Sequence, residues 1–333
     1  MTSARPPGWS LDSSPWHAGE IAAQERVGAR EIAERGGRFG IRTAMPDQHR
    51  AFFATLPFLV VGALDRQGRP WAALLAGPPG FAHSGDPHTL TVDAVLPAGH
   101  PLGGTLVPGA PVGVLGIQPA TRRRNRMNGR IAAIDGTTMS IAVDQSFGNC
   151  AKYIRARSVT YVEAPTCGRP RLRPEGAVLS QQAAALVRAA DTFYIATASP
   201  GAGDGDPVEG VDISHRGGRP GFVDLRREGG HSVLVVPDFL GNFFFNTFGN
   251  ILTNPATGVL FVDDATGDVL MLTGRAEVIW DSDEVARFPG AKRLLRVVVD
   301  EGIAIEGGSA LRWTPGEPAP QVAGTGAWTD QHG

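Results

Sequence analysis

VLVVPDFLGNFFFNTFGNILTNPATGVLFVDDATGDVLMLTGRAEVIW, residues 233 to 280, is the stretch whose reading decides the fold. It contains three apolar runs of strand length, VLVVP, GVLFVD and VLMLTGRAEVIW, the last long enough to turn a barrel corner. Asp263 to Asp268, Asp-Asp-Ala-Thr-Gly-Asp, is a turn cluster, so the second and third runs are expected to form an antiparallel hairpin. Between the first and second runs lies GNFFFNTFGNILTNP. Asn254-Pro255 closes it, because the residue before proline is pushed out of the helical region. In a small β-barrel, strands give rigid geometry and the irregular segments between them give ligand contacts. Asn242, Asn246, Thr247 and Asn250 are amide and hydroxyl donors spaced to converge on an anion or a heterocycle. The same residue types are ordinary turn formers, and the sequence leaves both roles open.

Outward from that stretch, the N-terminal side reads as helix followed by sheet. Ser14 to Arg35 predicts one helix: Ser14 is a capping residue, Pro15 suits a first turn, and Ile21, Ala22, Val27 and Ile32 give a partial apolar face. Trp16, His17, Glu20 and Gln24 fall on neighbouring turns of it. His17 and Glu20 read as a surface pair packed on the sheet more readily than as a catalytic pair. Met45 to Leu56 predicts a second short helix packed by Phe52 and Phe53. Residues 57 to 81 form a hairpin around the turn Asp65 to Gly68, residues 89 to 95 a strand, and residues 110 to 150 two or three more. Glu163 to Ala177, rich in Pro, Gly and Arg and without a period, reads as a linker. Leu179 to Ala190 is an amphipathic helix, and Asp191 opens a second β-rich unit. That unit holds a Gly/Asp/Pro loop at 200 to 210, a short helix at Ser282 to Phe288 and a last strand LLRVVVDEGIAI before the tail.

The two β-rich units repeat one another. Phe58-Leu59-Val60-Val61 matches Phe193-Tyr194-Ile195-Ala196, and Arg66-Gln67-Gly68-Arg69-Pro70 matches Arg216-Gly217-Gly218-Arg219-Pro220. Gly113-Val114-Leu115 matches Gly258-Val259-Leu260, and Gly129-Arg130 matches Gly274-Arg275 at the same offset. Four blocks in one order imply a tandem arrangement. The expected division is a helical arm at 1–45, a first unit at 46–165, and a second unit with its tail at 166–333.

Asn254-Pro255, Gly258 to Phe261, Leu272 to Arg275 and the segment His215 to Val223 together resemble the pyridoxamine 5'-phosphate oxidase-like FMN-binding split-barrel family. The resemblance implies a mainly β, α+β fold of two tandem split β-barrels, antiparallel and of Greek-key type, with FMN held in grooves between barrels. Where the oxidases proper carry an Arg-Lys pair for the flavin phosphate, this chain has Asn246-Thr247, and the C-terminal aromatic and arginine motif of the vitamin-pathway enzymes is not evident. The resemblance therefore points to fold and flavin and leaves the substrate unassigned. Arginine suits phosphate because its planar fork donates two parallel hydrogen bonds. Arg123, Arg124 and Arg126, in the densest charge run, are candidates for the missing grip, against the alternative of a solvated turn. Arg216 and Arg219 form a second basic pair beside His215, and Arg275 follows the strand glycine. Gln145 and Lys152 lie in QSFGNCAKYI, which echoes the Phe-Gly-Asn of residues 248 to 250. With Asn242, Asn246, Thr247 and Asn250, these residues make up the expected cofactor set.

Composition narrows the classes. A hydrophobic content of 42% with 19% charged residues suits a globular protein, and a net charge of −2 gives no global case for nucleic acid or an anionic membrane. Cys150 and Cys167 form neither metal spacing nor a disulfide framework. No stretch approaches eighteen uninterrupted apolar residues, and the N-terminus lacks an apolar signal region, so a cytoplasmic location is expected. No Walker loop, Rossmann fingerprint, HExxH or nucleophile elbow is present, and His83, His88 and His100 read as surface histidines. The expected function is an FMN-dependent oxidoreductase acting on an unassigned small substrate. NAD(P)H or a separate reductase would be its electron donor, and the chain is expected to form a homodimer. Two alternatives stand beside it: a non-catalytic flavin-binding protein, and a heme-binding or heme-degrading split-barrel protein with His215 or His17 at the iron.

Overall fold

The computed structural model of the chain describes residues 8–94, 96, 99–162 and 171–328. Three helices come first: α1 (Ala18–Arg26), α2 (Arg30–Gly40) and α3 (Asp47–Ala54). The single helix expected over 14–35 is broken in two, because the chain leaves α1 through Gly28 at φ +67°, a left-handed conformation that glycine adopts without steric penalty. Ser14 does not cap α1. His17 does, its Nδ1 accepting from Gly19 N at 3.1 Å while the Glu20 carboxyl accepts from His17 N at 3.1 Å. His17 and Glu20 are only 6% and 3% exposed, so they are a buried pair and not the surface pair expected.

A first antiparallel sheet follows, from β1 (Phe58–Leu64), β2 (Pro70–Ala76), β3 (Ala82–His83), β4 (Thr89–Asp93), β5 (Pro111–Gln118), β6 (Arg123–Asp135) and β7 (Thr138–Asn149). Its strand order is β2-β1-β5-β6-β7-β4-β3. After β8 (Val159–Tyr161) and β9 (Arg171–Glu175) come α4 (Gln181–Ala189), capped by Ser180, and the strands β10 (Thr192–Ala198), β11 (Val211–Gly217), β12 (Asp224–Glu228) and β13 (His231–Asp238). Then come α5 (Asn246–Thr253), β14 (Ala256–Val262), β15 (Val269–Ile279), α6 (Asp283–Arg287), β16 (Arg293–Glu306) and β17 (Leu311–Trp313). The second sheet runs β11-β10-β14-β15-β16-β13-β12, which is the first sheet's order with nine added to each label. β14 and β15 form the expected hairpin.

Two sequence expectations change. The linker expected at 163–177 is partly strand: Arg171 to Glu175 pairs with β16 from Glu306 to Gly302. Neither sheet closes on itself, since the pairings end on β2 and β3 in one and on β11 and β12 in the other. The architecture is therefore mainly antiparallel β in two open sheets with few helices.

The equivalence of the sheets extends to one irregularity, while a second shift in the β6–β7 ladder, between Ile131 and Ala133, has no counterpart. The β6–β7 ladder shifts register between Asn128 and Gly129, and the β15–β16 ladder between Thr273 and Gly274. A Cβ on Gly129 would stand 1.9 Å from Ala142 O, and one on Gly274 would stand 2.0 Å from Val298 O, so only glycine passes through either bulge. The sheets meet through β1, β2 and β5 on one side and β10, β11 and β14 on the other. That packing is reciprocal: a Cβ on Gly113 of β5 would meet Val211 O of β11 at 2.5 Å, and one on Gly258 of β14 would meet Pro70 O of β2 at 2.5 Å. One apolar core runs through the junction, joining Val60, Val114 and Met127 to Tyr194, Leu260 and Met271.

Candidate functional site

A cleft opens where β6 of the first sheet faces β11 and the β13–α5 connection of the second. Its empty space, open mouth included, is about 940 Å³. Strand alternation explains which arginines of the 122–126 run enter it. Residues two apart share a face of β6, so Arg124 and Arg126 point into the cleft. Arg123 points away, donating to Gln48 O at 2.9 Å and lying over the Phe52 ring.

Each cation in the cleft is held from behind. Arg126 donates to Asp212 at 2.9 Å, to Asn246 Oδ1 at 3.0 Å and to Ser214 Oγ. Asp212 in turn accepts from Asn128 at 2.9 Å and from Asn250 at 3.3 Å, while Thr247 donates to Ser214 at 3.0 Å. Arg124 donates to Cys150 O at 2.7 Å and to His215 Nδ1 at 3.2 Å. Since arginine only donates, His215 Nδ1 carries no proton and the imidazole is the Nε2–H tautomer. Across the cleft Arg216 and Arg293 share Asp238. Arg216 lies 4.7 Å over the Phe248 ring and Arg293 4.8 Å over Phe245, so aromatic faces hold both guanidinium groups in place.

The electrostatics are one-sided. The lining contains Arg124, Arg126, Lys152, Arg216 and Arg293 against the single carboxylate of Asp238. Burial, together with Arg126 nearby, lowers Arg124 to about 10, which leaves it cationic at neutral pH. Burial, then the charges of Arg124 and Arg216, hold His215 well below the ordinary imidazole range, so it adds no charge. Buried donors are left without acceptors among the described residues: Arg126 Nε, Arg216 Nε and Arg293 Nη1. α5 also begins here without a side-chain cap, and Asn246, Thr247 and Phe248 of its first turn line the cleft. An uncapped helix start beside several cations favours an anion. Three residues of the lining, Tyr153, Phe243 and Phe245, take left-handed backbone conformations at φ 64°, 64° and 61°. Such strain in bulky residues is concentrated where a site dictates the backbone path.

Behind Asn246 lies a smaller polar chamber that receives α1. Glu20 accepts there from Asn246 Nδ2, and burial, reinforced by Asp212, raises its pKa well above the carboxylate range. His17 lines the same chamber, its pKa lowered by burial.

Of the residues expected from sequence, the cleft brings together Arg124, Arg126, His215, Arg216, Asn246 and Thr247, with Lys152 and Asn242 at its rim. Asn250 lies behind the wall, bonded to Asp212 and Thr197. Gln145 is in the chamber, its amide 3.5 Å from Pro15 O. Arg123, Arg219 and Arg275 are exposed and outside the cleft. Asp238, Arg293 and Tyr153 were missed, as single residues at strand ends or in a loop with no motif around them. His100 is buried and not a surface histidine; burial lowers it to about 4. Cys150 lines the cleft as a free thiol, and Cys167 falls outside the described residues.

No family model matches the chain, and no curated protein matches it. Solved structures similar to part of it include three. One is a protein related to general stress protein 26, of the pyridoxine-phosphate oxidase family, from Clostridium acetobutylicum: 14% identity, 38% of this chain and 80% of that one, TM-score 0.22. A FAD-binding protein from Mesorhizobium loti has 13% identity over 40% of this chain and 97% of its own, with a TM-score of 0.26. HutZ, the heme storage protein from Vibrio cholerae, has 11% identity over 39% and 95%, with a TM-score of 0.25. Each spans less than half of this chain. Among the described residues, no helix is long and apolar enough to cross a membrane.

Proposed function

We propose that the chain is a tandem split-barrel flavoprotein that binds FMN in the basic cleft and acts as an oxidoreductase on a small substrate. The observation that carries this reading is the lining of five cations against one carboxylate around an uncapped helix start. That is the environment a phosphate monoester requires. Arg124, Arg126, Lys152, Arg216 and Arg293 supply the positive charge for it, and Asn246, Thr247 and Ser214 offer amide and hydroxyl groups for the polar edge of a heterocycle. Phe222, Phe239 and Phe245 supply apolar wall. When bound, FMN supplies the electron-accepting chemistry, and the side chains bind, orient and exclude water. No acid–base motif is required of the chain for that work. The electron donor in this proposal is NAD(P)H or a separate reductase.

The test is an absorbance spectrum of purified protein, before and after reconstitution with FMN, followed by anaerobic NADH and NADPH. Flavin bands that bleach with either nucleotide are expected. A protein that stays colourless after reconstitution overturns the reading. A second reading, a heme protein, draws on the buried imidazole of His215 in the cleft wall, and requires its proton to move to Nδ1, releasing Arg124, so that Nε2 can meet iron. A Soret band on adding hemin, lost in His215→Ala, would replace flavin with heme.

A further inference from the structure

The two sheets repeat residue by residue, so the basic cleft has a counterpart on the other side of the junction. The ladders define it. Gly113 pairs with Gly62 and Asn128, and Gly258 pairs with Ala196 and Thr273. Counting along β6 and β15 from those pairs places Arg124 opposite Val269 in the comparison, and Arg126 opposite Met271. Counting along β2 and β11 places Ser214 with Ala73, His215 with Leu74 and Arg216 with Leu75. The same count through β7 and β16 matches Asn149 to Ile305, and the end of β13 at Asp238 matches Ala94.

Every polar position in that set is apolar in its counterpart. The aromatic position alone is kept: Gly218 packs under Phe222 as Gly77 packs under Phe81, with prospective Cβ contacts of 2.5 and 2.6 Å to the rings. The counterpart is also filled. Val269, Met271, Leu75, Phe81 and Ile305 belong to one buried cluster, and Leu102, fully buried, enters it from the connection after β4. In the basic cleft the corresponding connection after β13 stands back and lines an open space.

We propose that the chain binds one ligand molecule, in the basic cleft alone, and that the equivalent groove has become hydrophobic core. Resting on the flavin reading above, this fixes its stoichiometry and its geometry. The first sheet contributes Arg124 and Arg126, the second contributes the phosphate-side cations and the α5 start, and the reverse combination is not made.

The experiment is a calorimetric titration of the full chain with FMN, with native mass spectrometry of the complex, on the natural protein and on Met271→Leu, Met271→Lys and Arg126→Ala. One FMN per chain is expected in the natural protein and in Met271→Leu, with binding lost in Arg126→Ala. Two FMN per chain would overturn the single-site proposal and leave the flavin reading intact. No FMN at all would end the flavin reading, and Met271→Lys then decides the groove. A charge placed in core removes the cooperative transition or lowers Tm by roughly 10 °C, the expected result. A Tm within about 2 °C of the natural protein's would mean an open, wet groove and would overturn the proposal.

Discussion

At the scale of the residue, the cleft is a set of cations held in place by partners facing away from it. Arg216 is the one whose removal leaves its neighbours satisfied, because Asp238 keeps Arg293. Arg216→Ala is therefore expected to fold normally and to weaken FMN about 10- to 100-fold, the contribution of one charge-assisted hydrogen bond. Titration at two salt concentrations checks it, and unchanged affinity would remove Arg216 from the site. Glu20 makes a sharper case. Its folded pKa is raised, so the native state holds more protons than the unfolded state above the unfolded value. Stability from this group is full below the unfolded pKa and is lost as pH rises towards the folded one. Glu20→Gln keeps the acceptor for Asn246 and should flatten that loss, whereas Glu20→Ala, equally flat, should lie about 1–3 kcal/mol below Glu20→Gln at any pH. Denaturant melts at pH 5 and pH 8 separate the two variants. Much of this wall was legible because amides and arginines cluster in sequence at 122–126 and 242–250. Asp238 and Asp212 were not, since each is a lone charge on a strand, indistinguishable from a solvated one in sequence, and Arg293 follows Lys292 at a strand start with no motif around it.

At the scale of the element, α1 is the least expected part of the site. It crosses α5 at backbone contact: a Cβ on Gly249 would lie 2.6 Å from both Glu20 Cα and Glu20 N, and one on Gly19 would lie 2.1 Å from Gly249 O. Backbone cannot give way as a side-chain end does. Gly249→Ala is expected to push α1 off α5, cost about 1–3 kcal/mol of stability, and weaken ligand binding through Asn246. A variant with natural stability and affinity would show that α1 merely rests on the sheet. Residues 14–35 were legible as helical, but neither the break nor the buried face was: Ile21, Ala22, Val27 and Ile32 are half-buried or exposed, and Gly19, Glu20, Ala23 and Gln24 are buried instead. The burial of Glu20 depends on α5, which lies more than two hundred residues further along. The repeat was legible for the opposite reason. Gly113, Gly129, Gly258 and Gly274 sit where another backbone passes too close for any side chain, so packing itself marks them. Even so, matching Phe58 with Phe193 misplaces β1 by one residue, and matching Arg66–Pro70 with Arg216–Pro220 misplaces β2 by nine, since Arg216 falls opposite Leu75. The ladders set Gly62 beside Gly113 as Ala196 is set beside Gly258, which pairs Phe58 with Thr192. Apolar runs slide past one another in sequence, and hydrogen-bonded pairs do not.

At the scale of the whole molecule, the net charge of −2 conceals a cleft of five cations, because acidic residues elsewhere offset them. Burial of neutral histidines is a molecule-wide feature of the same kind, and it sets the response to acid. His49 and His100 are each lowered to about 4, first by burial, with Arg42 and Arg123 adding to the effect at His49. His17 and His215 are lowered too. An unfolded histidine protonates near 6.5, so between that value and about 4 the unfolded chain binds protons that the native one refuses. Stability from these groups is complete above 6.5 and falls as pH drops, by about 1.4 kcal/mol per pH unit for each of His49 and His100. Glu20 works in the opposite direction, and a single carboxyl does not cancel four imidazoles. The stability of the protein is thus expected to fall steeply between pH 6.5 and pH 5. His100→Asn isolates one share of the effect. His100 Nδ1 accepts from Leu102 N at 3.1 Å, an acceptor role that asparagine reproduces without a titrating group. Urea unfolding at pH 7, 6 and 5 should show near-natural stability for His100→Asn at pH 7 and a slope shallower by about 1.4 kcal/mol per pH unit. An unchanged slope would mean that His100 protonates as readily folded as unfolded, and that Leu102 does not seal the connection in which it lies.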